Sequence, residues 1–222
     1  MKALKKSLFR KNIYVLVAAI GMFILGWLIN KYLVRTTSVI YYSRAIEDKI
    51  QDKEKDFEDL VKDTALLQSI VEGNYSQQTL SKLLFEEKRY GLFIYDQDTT
   101  YDYQLRFWNT HLIKTGILWE ERDTVALLGL SSGKFVHINK TVTLGTGKKY
   151  TVDALIPVLT QYFVTNPNFA RQFAEYPGAE KLVDISLQPT NYPVKSLHGQ
   201  TLFYLSEMQP DGKQNRSLAW RR

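Results

Sequence analysis

The sequence predicts an α+β fold, with a helical N-terminal third followed by an antiparallel sheet of five or six strands. Three observations carry this. Residues 13–29 form an uncharged, mostly apolar run; residues 39–71 contain neither Gly nor Pro and place apolar side chains at helical steps. From Tyr90 onward, short alternating runs rich in β-branched and aromatic residues are separated by Gly, Asp, Asn and Ser clusters, the pattern of strands and turns. The chain has 222 residues, 45% of them hydrophobic, with 14 Tyr, 11 Phe and 4 Trp, so its apolar surface is ample for one domain with a core.

The first element is Ile13–Ile29 (IYVLVAAIGMFILGWLI), which Asn30, Tyr32, Leu33 and Val34 extend past Lys31. At 1.5 Å per residue such a helix approaches the ~30 Å hydrocarbon thickness of a bilayer, so residues 13–34 are expected to be a transmembrane helix. Lys2, Lys5, Lys6, Arg10 and Lys11 precede it, Lys31 and Arg35 follow it, and no acid occurs before Glu47. The positive-inside rule then assigns residues 1–12 as a basic cytoplasmic tail and puts the remainder outside. A cleaved signal peptide fits less well, because the run is longer than usual and ends Gly-Trp-Leu-Ile-Asn-Lys-Tyr with no small-x-small site. The formal charge of +6 therefore reports topology. From residue 36 onward there are 22 basic and 23 acidic residues, a net of −1, which argues against a nucleic-acid partner.

The second element runs through 35–75 as a membrane-proximal helical stalk. Ile46, Ile50, Phe57, Leu60, Thr64, Leu67 and Val71 form a heptad-like stripe interrupted at Lys53, while the opposite face carries charges of both signs. The stripe suits packing on the chain's own domain or pairing with a second copy, which makes a homodimer through the stalk an expectation. Gly73-Asn74 ends the helix, and Ser76 is the expected N-cap of a short helix burying Leu80, Leu83 and Leu84.

Residues 76–210 make the folded domain. Gly91–Tyr95 and Tyr101–Asn109 read as a hairpin; further strands are expected at 124–130, 134–144 and 149–159, with turns at Ser131-Ser-Gly133 and Gly145-Thr-Gly147. A helical turn is expected at 168–173, then strands at 182–187 and 194–205, the last broken at His198-Gly199.

No catalytic motif survives its context. Gly129-Leu-Ser131-Ser-Gly133 matches a nucleophile elbow, with Asp153 or Asp184 and then His198 in triad order, but an elbow needs a helix after the serine and a strand is expected there. Gly145-Thr-Gly-Lys-Lys149 lacks the first glycine and the final Ser/Thr of a phosphate loop. Asp96, Asp98 and Asp102 lack the glycine and terminal glutamate of a calcium loop, and no metal or cofactor is expected. His111, His137 and His198 sit in separate segments, and with no cysteine the chain forms no disulfide. Where aromatic and orienting polar groups lie closest together, a ligand pocket is expected to draw on Tyr95, Phe107, Trp108, Asn109 and His137.

One segment arrangement and several local patterns support a family resemblance. An anchor, a long helix and an aromatic-rich antiparallel sheet resemble the extracytoplasmic PAS-like (Cache-type) sensor domains of bacterial signal transducers. Phe93, Tyr95, Asp98, Phe107, Trp108, Asn109 and Thr110 in the first hairpin, with residues 154–173 and 192–205, are similar to the sensor regions of Bacteroidetes-type two-component histidine kinases. The hairpin turn is longer here, by roughly 99–104. The resemblance implies a bacterial inner-membrane protein with a periplasmic domain that senses a small molecule or periplasmic protein. It also implies that residues 211–222 lead to a second transmembrane helix and a kinase core beyond the chain. A stand-alone anchored binding or scaffold protein, and the sensor region of a cyclase or chemoreceptor, are the alternatives.

Overall fold

The computed structural model describes residues 2–29, 35–81, 90–99, 102–110, 124–145, 147–162 and 170–208. Helix α1 spans Lys2–Leu28. Its residues 13–29 are exposed throughout, from Leu28 at 39% to Phe23 at 79%. The expectation of a membrane span over 13–34 is not supported: among the described residues no helix is long and apolar enough to cross a membrane. The helix ends at Leu28, and residues 30–34, which carried the expected extension, lie outside the described residues.

The expected single helix over 39–71 is two. Helix α2 covers Arg35–Lys62 and α3 covers Thr64–Val71. Asp63 leaves helical geometry, and its carboxylate accepts a 3.0 Å hydrogen bond from the Leu66 amide, capping α3. A short polar residue competing for backbone donors breaks a helix that apolar periodicity alone would continue. Gly73, at φ 71°, closes α3 in the left-handed conformation, with the Gly73 amide donating to Ile70 O and the Asn74 amide to Ser69 O. Helix α4, Gln77–Ser81, is capped as expected by Ser76, whose Oγ accepts from the Thr79 amide at 3.1 Å. Leu83 and Leu84 lie outside the described residues.

The main sheet is antiparallel and six-stranded: β1 Gly91–Thr99, β2 Asp102–Trp108, β3 Val125–Leu130, β4 Gly133–Leu144, β5 Lys148–Thr160 and the short β6 Gln172–Phe173. Five follow the order β2-β1-β5-β4-β3, and β6 pairs the end of β5. The helical turn expected at 168–173 is a strand where it is described, since Gln172 and Phe173 pair with Thr160 and Leu159 and bury the Phe173 ring. The β3–β4 turn demands glycine: Gly133 has φ 145°, and a Cβ there would stand 2.0 Å from the Leu159 carbonyl oxygen.

The last strands do not extend this sheet. β7 Val183–Ser186, β8 Pro193–Lys195 and β9 Thr201–Glu207 form a second, three-stranded sheet in the order β7-β9-β8. The break expected at His198-Gly199 is the β8–β9 turn. Helix α2 joins the two sheets: Val39, Ile46, Ile50, Phe57 and Leu60 pack in one core with Leu92, Ile94, Val152, Ala154 and Ile156 of the main sheet and Val194, Phe203 and Leu205 of the second. The stripe thus packs on its own domain.

Candidate functional site

Pairing register determines which side chains share a face. In β1, Leu92 and Ile94 face α2, whereas Phe93 and Tyr95 face away and cluster with Phe135 and Leu155. On that second face the pairs Phe93 with Trp108, Phe93 with Asp153, and Asp153 with Asn139 set a row across four strands. Beside it runs a parallel row through Tyr95, Thr151 and Thr141. His137, two residues before Asn139, stands on the same face.

The centre of this face is polar and buried. Asp153 is 2% exposed, Asn139 4% and His137 8%. One oxygen of Asp153 accepts a 2.6 Å hydrogen bond from Asn139 Nδ2 and lies 3.3 Å from His137 Nε2. Buried polar groups are retained only where partners offset their desolvation, and Asp153 supplies that partner to two neighbouring side chains. A carboxylate, an imidazole and an amide are fixed here on rigid strands, with Tyr95 and Phe93 beside them and half-exposed Trp108 at the end of the row.

The structure brings together three of the five residues expected at a pocket. Tyr95, Trp108 and His137 share this face. Phe107 pairs with Ile94 and points the other way, into the α2 core, edge-to-face with Tyr75 at 6.5 Å. Asn109 is a fastener: its Oδ1 accepts from the Leu92 amide at 2.7 Å and its Nδ2 donates to Tyr90 O at 3.1 Å, holding the end of β2 against the start of β1. Asn139, Asp153, Thr141 and Thr151 were missed as site residues. Their signal is period two: polar side chains at 137, 139 and 141, and at 151 and 153, inside strands otherwise apolar enough to be central.

A second polar system lies along α2. Ser43, Glu47, Gln51, Glu54 and Glu58 recur at helical spacing and bind the open edge of β8 and the turn after it. Ser43 Oγ donates to Pro193 O (3.1 Å), Glu47 accepts from the Lys195 amide (2.7 Å), and Gln51 Nε2 donates to Lys195 O and Ser196 O (3.2 and 3.3 Å). Glu54 accepts from the Leu197 amide, and Glu58 meets His198 Nε2 at 2.7 Å. A helix here does for an edge strand what a neighbouring strand otherwise does. Glu54 is 3% exposed, and burial pushes its carboxyl pKa up, against the Leu197 amide and His198, which pull it down.

A third buried acid, Asp96, lies within β1. Lys148 at 2.7 Å and Arg106 at 2.7 and 3.1 Å hold its carboxyl below the usual range although burial opposes them. The residues that stand in triad order along the sequence do not meet, as expected from the turn at Ser131: Ser131 is in an antiparallel hairpin turn, Asp153 binds His137, Asp184 binds Arg171, and His198 binds Glu58. Among the described residues no group of three or more His, Asp or Glu side chains is placed to hold a metal ion. Compared with protein-family models, with curated proteins and with solved structures, the chain matches none.

Proposed function

We propose that the chain is the extracytoplasmic sensor region of a membrane-anchored signal-transducing receptor, of the PAS-like kind that precedes a two-component histidine kinase. Helix α1 is apolar around its whole circumference from Ile13 to its end at Leu28, and a helix of that kind needs a surround of lipid or protein. The residues described elsewhere leave it exposed, and the flanking cations favour a membrane with the N-terminus in the cytoplasm.

The observation that carries the receptor reading is the position of α2. It follows the apolar segment, forms the core seam between both sheets, and grips β8 through side chains along its length. A ligand that favours one arrangement of the polar face biases a helix connected in sequence to the anchor, and that bias is the signal. A homodimer through this helix would use exposed Ile40 and Tyr41, since the stripe is buried within the chain.

Amide hydrogen exchange on the full chain tests this. Asp153→Asn, a change confined to the polar face, is expected to alter protection of the Lys195 and Leu197 amides, on the far side of α2. Changes confined to β4 and β5 would contradict transmission and leave a static binding domain.

A further inference from the structure

The Gly129-Leu-Ser131-Ser-Gly133 segment, which is no nucleophile elbow, borders an open cleft of about 250 Å³ lined by Gly129, Leu130, Ser131, Lys134, Gln161 and Tyr162. We propose that this cleft binds a small organic anion, carrying a carboxylate or phosphate, through Lys134 with Ser131 and Gln161 as hydrogen-bond donors. This goes beyond the receptor reading and does not depend on it.

Chemistry and charge agree on the sign of the ligand. Among the described residues no acid lines the cleft, while an ammonium, two hydroxyls and a carboxamide do, a donor-rich set that suits an oxyanion. The acid in electrostatic reach of Lys134 is Asp184, and it is engaged by Arg171. Among the described residues Lys134 therefore keeps its cation without an ion pair. Burial lowers the pKa of that ammonium below the ordinary lysine value, with Asp184 opposing and Arg171 adding to the effect. A partly desolvated cation whose nearby acid is held by another cation gains when an anion arrives. Gly133 locks the β3–β4 turn that carries Ser131 and Lys134, and the Gln161 amide donates to Ser132 O, tying the end of β5 to that turn. The volume falls just under the range of roughly 300–1,000 Å³ usual for ligand pockets, which points to a ligand of few atoms.

The test uses the full chain in detergent, titrated calorimetrically with sodium phosphate and, separately, with sodium succinate at ionic strength held constant with chloride. Saturable binding of one of them with a Kd below about 1 mM is expected, weakened about tenfold or more in Lys134→Met and retained in Lys134→Arg. Because a variant that unfolds would also lose binding, the wild-type chain is also acetylated with an amine-specific reagent, and the bound anion should protect Lys134 more than Lys149. Absence of saturable binding by both probes, unchanged affinity in folded Lys134→Met, or equal protection of the two lysines would each overturn the proposal.

Discussion

Asn109 illustrates how a residue chosen for one role serves another. It was expected at a pocket for its side-chain amide, and that amide is occupied by the backbone of Tyr90 and Leu92. Removing both bonds in Asn109→Ala exposes buried backbone groups to loss of partners, so a destabilisation of about 1–3 kcal/mol is expected in urea unfolding. Trp108, its neighbour, is 44% exposed at the end of the polar row, and Trp108→Ala should change stability by less than about 1 kcal/mol. Any ligand affinity lost in the folded Trp108→Ala protein is then attributable to contact with the ligand. The opposite orientations of Phe107 and Trp108 were legible from adjacency alone, since successive strand residues face opposite sides. Their assignment to a particular face was not, because it depends on which partner each strand pairs with. Asp153 is the residue on which the polar row depends: Asp153→Ala removes the acceptor shared by Asn139 and His137, at a cost of about 1–3 kcal/mol per affected group, read by the same unfolding measurement.

At the scale of elements, α2 carries one hydroxyl and one carboxyl group in an otherwise apolar buried stripe. Val39, Ser43, Ile46, Ile50, Glu54, Phe57 and Leu60 are the buried positions, so the apparent gap between Ile50 and Phe57 is filled by a carboxyl group. The apolar part of this stripe was readable from periodicity. Glu54 was not, because a charged residue at a core position marks itself only once its partner, the Leu197 amide some 140 residues later, is in place. Since the folded pKa of Glu54 is raised, its contribution is fully present below the unfolded value near 4.5 and is lost as pH rises through the folded value. Wild-type stability should therefore fall on going from pH 4.5 toward neutrality by a component that Glu54→Gln removes. Unfolding free energies at several pH values check this, with the Gln variant expected to be the more stable at pH 8. The strands from β1 to β5 were legible because turn residues punctuate them. The separation of β7, β8 and β9 into their own sheet was not, since short strands carry no record of which edge they join, and here the edge of β8 is bound by helix side chains.

At the scale of the molecule, the charge distribution and the burial pattern divide the chain at the same place. Residues from Thr36 onward are near neutral overall and contain the whole described core, so a chain starting there should be soluble and unfold cooperatively. The apolar α1 run remains outside that core, and the function proposed above assigns it the role of holding the domain on the far side of a membrane. The absence of cysteine allows a direct test, because a single Gln188→Cys at an exposed position is the sole thiol in the protein. In intact bacterial cells with a permeabilised outer membrane, a thiol reagent unable to cross the inner membrane should label that cysteine fully. Labelling that appears only after the inner membrane is broken would contradict the proposed topology.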